Sequence, residues 1–234
     1  MKAVVIIPTY NEKDNLRPLI EQILQLNLEL QALVVDDNSP DGTGQIADEL
    51  ATEFPDQVLV LHRTESRGRG YAGIAGFQYA ANLDTDVILE MDADLSHQPI
   101  FIPDFMDAIK EADVVIGSRY IAGGDVVGWG WYRKLNSWVA NRVARLILGL
   151  KYADCTSGFR AFRKEVIQAL PWETMISPGP SIVEEILYYC YKKNFRITEI
   201  PITFINREQG ESKVSPTLIV RWIYSLWKVR FKKS

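Results

Sequence analysis

Two cysteines and two histidines are all that the 234 residues contain of either type. Cys155 and Cys190 make no C-x-x-C pair and no disulfide framework, so a reduced, cytosolic setting is expected. His62 and His97 lie far apart, without the spacing of a metal site, and neither is a convincing catalytic histidine. Long apolar runs are missing as well. No stretch approaches the ~18 uninterrupted apolar residues of a membrane-spanning helix, and Met1 leads straight into a strand-like run instead of a signal peptide. Positive charge is not in excess: the formal net charge of -4 argues against general nucleic-acid binding. There is no internal repeat and no low-complexity linker. What is present is 47% hydrophobic residues, enough for a substantial core in one large domain or a domain with an appendage.

Acidic residues are absent from two particular segments. Residues 126–153 carry Arg133, Lys134, Arg142, Arg145 and Lys151, and residues 217–234 carry Arg221, Lys228, Arg230, Lys232 and Lys233. The rest of the chain holds 16 basic and 30 acidic residues. Five of the six tryptophans (Trp129, Trp131, Trp138, Trp222 and Trp227) fall in these same two segments. Tryptophan beside lysine and arginine on amphipathic helices is the pattern of a helix lying at a membrane surface. The plainer alternative is two surface helices packed on the core by their aromatics. Because both segments share the pattern, the interfacial reading is the expectation.

Apolar strand-like runs and helical spacing alternate from the start of the chain. Strands are expected at residues 3–7, 32–35, 58–61, 87–89 and 114–116, with helices over 12–26, 42–54, 71–82 and 101–112 between them. Four such alternations with short connections predict an α/β fold with a mostly parallel central sheet and helices on both faces. Beyond residue 125 the alternation weakens. Residues 135–150 are amphipathic, 182–193 and 217–231 helical, and 197–204 alternate like one strand. Ligands of open α/β sheets bind outside the carboxyl ends of the strands. The polar clusters Thr9-Tyr10-Asn11-Glu12, Asp36-Asp37-Asn38-Ser39, His62-Arg63, Glu90 to Asp94, and Ser118-Arg119 all fall there.

The most pointed of these clusters is Asp92-Ala93-Asp94, two residues beyond the apolar run Val87-Ile88-Leu89. Two adjacent carboxylates repel and are costly to desolvate unless a cation joins them. Hard divalent cations such as Mg2+ or Mn2+ prefer oxygen ligands and share them with substrate phosphates. The pair therefore reads as the seat of a metal-bound diphosphate; the competing reading is an acidic turn that caps the following helix at Ser96 and Pro99.

Gly68-Arg69-Gly70-Tyr71-Ala72-Gly73 fits G-x-G-x-x-G before a helix, with Glu90 ending the next strand, which raises a dinucleotide-binding reading. The spacing opposes it. Seven positions separate Leu61 from Gly68, whereas that motif needs a tight turn straight off the first strand. A basic glycine loop that covers a phosphate, or lets its helix pack closely, is favoured.

Taken together, these blocks resemble a known family. Val34-Val35-Asp36-Asp37-Asn38-Ser39-Pro40-Asp41-Gly42-Thr43 is similar to the signature of polyprenyl-phosphate (dolichyl-phosphate) mannose synthases, inverting family 2 glycosyltransferases of the nucleotide-diphospho-sugar transferase fold. The likeness extends through Ile6-Ile7-Pro8-Thr9-Tyr10-Asn11-Glu12, Met91 to His97, Gly117-Ser118-Arg119-Tyr120, Thr156-Ser157-Gly158-Phe159-Arg160 and Arg207 to Lys213. It implies a catalytic domain over residues 1–215, including an amphipathic helix near 131–150, and a basic amphipathic helix over 216–234.

The resemblance also implies roles. Pro8, Tyr10, Glu12 and Asp37 would line the nucleoside pocket together with Asp92, Ala93 and Asp94. Asp92, Asp94 and Gln98 would hold Mg2+ or Mn2+ on the diphosphate of GDP-mannose. Arg119, Arg207 and Lys213 would neutralise the phosphates, with Arg119, Arg133 and Ser137 taking the phosphate of a polyprenyl or dolichyl phosphate. Plainer roles stand beside these: a first-turn helix acid for Glu12, a turn for Asp37, a surface ion pair for Arg119, a side chain snorkelling from its helix for Arg133, and a mobile polar loop around Arg207 and Lys213. Glu185, or its neighbour Glu184, would face the site. A glucose transferase using UDP-glucose and a non-catalytic, membrane-associated nucleotide-sugar-binding subunit are the competing functions. The expected setting is the cytoplasmic face of a membrane, reached peripherally, through a membrane-anchoring partner subunit, or as part of a longer chain.

Overall fold

The computed structural model describes residues 1–65, 67–175, 177, 179–206 and 216–232. In chain order its elements are β1 (Ala3–Thr9), α1 (Lys13–Leu24), β2 (Leu30–Asp36), α2 (Thr43–Glu53), β3 (Val58–His62), α3 (Arg69–Ala80), β4 (Val87–Glu90), α4 (Ile102–Ala108) and β5 (Val114–Ser118). They continue as β6 (Asp125–Val127), α5 (Trp131–Leu148), β7 (Arg160–Arg163), α6 (Lys164–Ala169), α7 (Ile182–Lys192), β8 (Ile197–Pro201), β9 (Thr203–Ile205) and α8 (Pro216–Phe231).

Seven strands form the central sheet in the order β3-β2-β1-β4-β7-β5-β8, parallel except for β7. The side-chain period of two sends alternate residues of β1 into separate cores. Val5 and Ile7 pack with Leu16 and Ile20 of α1, Leu50 of α2 and Phe105 of α4. Val4 and Ile6 pack on the other face with Phe77 of α3, Val166 of α6 and Ile186 of α7. Each such fully buried aliphatic side chain contributes about 1.5–3 kcal/mol. A third cluster joins Ala144 and Leu148 of α5, Leu187 and Tyr188 of α7, and Leu226 and Val229 of α8.

Several expected elements differ in detail. The single strand expected over residues 197–204 divides at Ile202 into β8, which edges the large sheet, and β9, which pairs in parallel with β6. The helix expected over 101–112 opens instead as a 3-10 turn, Pro99–Phe101, and ends as α4 at Ala108. The glycines of α3 serve close packing: a Cβ on Gly76 would lie 2.5 Å from Cγ2 of Ile6 on β1. Among the described residues no helix is long and apolar enough to cross a membrane.

Candidate active site

The parallel strands β1, β2, β4 and β5 deliver their carboxyl ends to one rim of the sheet. Because β7 runs antiparallel between β4 and β5, its entering end also lies there, with Arg160 in register with Glu90 and Ile116. The loop before β7 therefore carries Asp154, Thr156 and Gly158 to the same rim, which explains how a segment so distant in sequence reaches Asp92.

The loop after β4 is held from several directions. The backbone N–H of Asp92 donates to Nδ1 of His97 at 3.0 Å, and that of Ser96 donates to Oδ1 of Asp94 at 3.1 Å. Leu95 between them adopts a left-handed φ of 60°, a costly conformation for a bulky residue that the surrounding bonds must enforce. His97 is buried and stacked on Phe159, with Phe204 against its edge. Burial pushes this imidazole below its usual range, against the pull of Asp92 and Asp94. The neutral ring carries its proton on Nε2, since Nδ1 accepts the amide.

Arg69, at the start of α3, is the main cation beside these acids. It donates to Glu90 Oε1 at 2.7 Å and to Asp92 Oδ1 at 3.3 Å. A Cβ on Gly73 would stand 3.1 Å from both halves of the Arg69–Glu90 pair, so the third glycine of the motif makes room for it. Burial opposes ionisation of Asp92, but the Arg69 guanidinium, by its charge and its hydrogen bond, helps hold the carboxyl below the ordinary range. Asp92 and Asp94 are hard oxygen donors. Among the described residues no cluster of three or more His, Cys, Asp or Glu side chains could itself complete a metal site. That donor set fits a cation whose remaining ligands come from water and a diphosphate. Gln98 follows on the same loop, immediately before the 3-10 turn.

On the β1–β2 side, Glu12 flanks α1: its carbonyl accepts from the amides of Asn15 and Leu16, and its side chain accepts from Asn15 Nδ2 at 2.8 Å. This realises the helix-end role, while Pro8, one residue before the end of β1, pairs in register with Val35. Asp37 is buried, pairs with Arg63 and accepts the amide of Gly68 at 2.7 Å. It thereby fastens the glycine loop to the sheet. Tyr10 is exposed, with the Arg67 guanidinium 5.6 Å above its ring.

Arg119 is not a surface ion pair. It is buried, with Nε 2.7 Å from Oδ2 of Asp154, Nη2 2.8 Å from Oδ1, and Nη2 also donating to Thr156 Oγ1 at 2.8 Å. The rings of Tyr120, Trp129 and Phe204 lie 5.3, 5.9 and 5.5 Å from its guanidinium carbon. Arg133 covers Trp129 at 4.2 Å and donates to Asn206 Oδ1 at 2.7 Å, while Ser137 Oγ lies 2.8 Å from Tyr120 Oη. Arg133 and Ser137 thus share the face of α5 turned toward Arg119. The indole N–H of Trp129 is buried there with no hydrogen-bond partner among the described residues. Arg207 and Lys213 lie outside the described residues.

A cavity of about 290 Å³ opens beside Asp92, bordered by Arg69, Thr156, Gly158, Glu184 and Trp222. It separates the two candidate glutamates of α7. Glu184 lines it, whereas Glu185 is fully buried and accepts the amide of Ser177 at 2.9 Å. Of the two glutamates that the sequence left open, Glu184 is the one that borders this cavity. Sequence reasoning also passed over Arg69 and Asp154 as site residues. Arg69 had a signal in the glycine motif; Asp154 had none beyond its nearness to Thr156.

This rim, with an acid pair after β4 and arginines facing it, belongs to the transferases of activated sugars. The model of Glycosyl transferase family 2 matches residues 4–170, and the chain belongs to that family. The chain is 43% identical over 219 residues to an undecaprenyl-phosphate mannosyltransferase of Micrococcus luteus, covering 94% of this chain and 90% of the relative. It is 40% identical over 232 residues to a polyprenol monophosphomannose synthase of Mycolicibacterium smegmatis, covering 98% and 88%. In fold it is similar to glucosyl-3-phosphoglycerate synthase of Mycobacterium tuberculosis, solved with Mn2+, uridine diphosphate and phosphoglyceric acid. That likeness has a TM-score of 0.73 at 18% identity and covers 100% of this chain and 80% of the other.

Proposed function

We propose that the protein transfers mannose from GDP-mannose to a polyprenyl or dolichyl monophosphate with inversion at the anomeric carbon. One observation carries the reading. Thr156 accepts from Arg119 and borders the cavity with Asp92, so the carboxylates suited to a metal–diphosphate and the cations suited to an anionic acceptor meet at one place. The names of the relatives from Micrococcus luteus and Mycolicibacterium smegmatis support the sugar and the lipid.

Asp92 and Asp94, with Gln98, would hold Mg2+ or Mn2+, which supplies charge neutralisation for the leaving diphosphate. Pro8, Tyr10, Glu12 and Asp37 stand at the strand ends where the nucleoside would lie, with Ala93 between the acids. Arg119, Arg133 and Ser137 would take the acceptor phosphate, and the unpartnered Trp129 N–H lies beside them. The acceptor oxygen forms its bond to the anomeric carbon as the bond to the diphosphate breaks. A phosphate monoester, with a second pKa of about 6, is largely dianionic near neutral pH and needs no general base. His97 is accordingly spent on the Asp92 amide and not on the acceptor. The arginines let two anions approach, so positioning and electrostatics are the main contributions. Arg207 and Lys213 would add cations over the leaving group. The lipid acceptor places the protein on a membrane surface, through α5 and α8 or with an anchoring partner.

The test is transfer of label from GDP-mannose to a short polyprenyl phosphate, with and without Mg2+ or Mn2+, alongside UDP-glucose. Metal-dependent mannosyl transfer is expected. Transfer from UDP-glucose alone would replace the sugar assignment, and nucleotide binding without any transfer would leave a non-catalytic binding subunit.

A further inference from the structure

The cavity beside Asp92 is too small for a whole nucleotide sugar. Its 290 Å³ sits at the lower limit of small-molecule sites, about 300 Å³. It suits one sugar ring. Its polar groups are unequally supplied. Arg69 is committed to Glu90 and Asp92, and Thr156 Oγ1 to Arg119 and Asn141. Glu184 is 4% exposed, and one oxygen accepts the indole N–H of Trp222 from α8 at 3.1 Å. A carboxylate offers about four acceptor positions and no donor when ionised. Such a group, walled in at a cavity, is complementary to hydroxyl groups, which an incoming sugar ring presents in adjacent pairs.

The surroundings act on this carboxylate through charge. Arg160 is fully buried, its guanidinium donating to the carbonyls of Val183 and Cys155, the latter at 2.7 Å, and its charge favours the ionised form of Glu184. Burial pushes Glu184 up to about 7, Arg160 and the Trp222 hydrogen bond pulling the other way. A carboxylate this poorly solvated gains from hydroxyl donors that replace lost water. We infer that this cavity is the hexose subsite of the donor, that Glu184 accepts hydrogen bonds from the sugar's hydroxyls, and that Trp222 positions Glu184 and walls the subsite from α8. Glu184 is then a specificity residue acting on the sugar alone, whereas the nucleoside and diphosphate are held elsewhere on the rim. This inference rests on the glycosyl-transfer reading above.

The experiment compares affinity for GDP and GDP-mannose, each with Mn2+, by titration calorimetry on the wild type, Glu184→Gln and Trp222→Phe. Glu184→Gln is expected to weaken GDP-mannose roughly ten-fold while leaving GDP unchanged. Trp222→Phe keeps an aromatic wall without the N–H and is expected to give a smaller loss with the same selectivity. Thermal melting of both variants establishes folding. Equal weakening of both ligands, or no change in either, overturns the inference. Wild-type protein that binds neither ligand overturns the functional reading itself, and this inference with it.

Discussion

Arg119 and Asp154 form a closed fork, Nε on Oδ2 at 2.7 Å and Nη2 on Oδ1 at 2.8 Å, with the backbone amide of Arg119 also donating to Oδ2 at 3.1 Å. Burial alone would raise Asp154 and lower Arg119, yet their mutual attraction drives each the opposite way. The pair fixes the guanidinium beneath Tyr120, Trp129 and Phe204, whatever else that side chain binds.

Removing only the acid leaves a buried arginine uncompensated, at a cost of about 3–5 kcal/mol. Asp154→Asn should therefore lower the melting temperature by roughly ten degrees in a chain of this size. Calorimetric melting checks this. The paired replacement Arg119→Met with Asp154→Leu should regain part of the loss because no charge is left stranded. A melting temperature for Asp154→Asn equal to wild type would show that the fork contributes nothing.

Arg69 makes a separate prediction. It is the described side chain that touches both Glu90 and Asp92. Arg69→Gln takes the cation from beside the acid expected to hold the metal, and kcat/KM for sugar transfer should fall by roughly a hundred-fold. Arg69→Lys should recover only part, since a point charge cannot fork between two carboxylates. Steady-state transfer assays below the melting temperature of each variant decide it; activity of Arg69→Gln within about two-fold of wild type would sink the assignment.

The contrast between these residues shows what the sequence made legible. The apolar runs of β1, β2 and β4 and the acids at their ends were readable because strand and helix periods differ. The strand β7 was not: four residues long with arginine at both ends, it lacks an apolar run, and its antiparallel course follows no sequence neighbour. Arg69 was visible only as filling in a glycine motif, since its partners lie on another element. The choice between Glu184 and Glu185 stayed open in the sequence for a different reason. Every residue of α7 from Ile182 to Tyr188 is buried, so helical periodicity marks no inward face, and only packing against α8 separates the two acids.

Burial of Glu184 makes stability depend on pH in a direction opposite to the aspartates. An ordinary glutamate loses its proton near pH 4.3 in the unfolded chain, whereas folded Glu184 keeps it to about 7. Across that window the folded state holds a proton that the unfolded state has released. This contribution to stability therefore falls as pH rises, by on the order of 3 kcal/mol. Arg160 and Trp222 favour the ionised form, and Asp154 opposes it. Asp92 and Asp154 are held low, so their contributions persist through this window and are lost only in stronger acid. Glu184→Gln should match wild type near pH 4.5 and become the more stable protein above pH 7. Denaturant unfolding at the two pH values measures the crossing; a constant difference between them would refute it.

The outward faces of α5 and α8 carry the last prediction. Ala144 and Leu148 on one helix cluster with Leu226 and Val229 on the other, which leaves Trp131, Trp138, Leu146, Val220, Trp227 and Phe231 exposed. Arg142 lies over Trp138 at 5.1 Å and Lys228 over Tyr224 at 4.7 Å, so cations are interleaved with the aromatics on this surface. Apolar side chains of this size cost free energy in water and gain it at a lipid boundary, where nearby lysine and arginine meet anionic headgroups. The protein should float with vesicles containing anionic lipid and dissociate partly as salt screens the headgroups. Trp131→Ala and Trp227→Ala should each weaken partition roughly ten-fold, because each removes a side chain able to bury about 150–250 Å². Transfer to a short, water-soluble acceptor phosphate should be unaffected by either change, since both side chains lie on the exposed surface. If the variants float as well as wild type, the lipid surface is engaged elsewhere and these two helices are ordinary cover for the core.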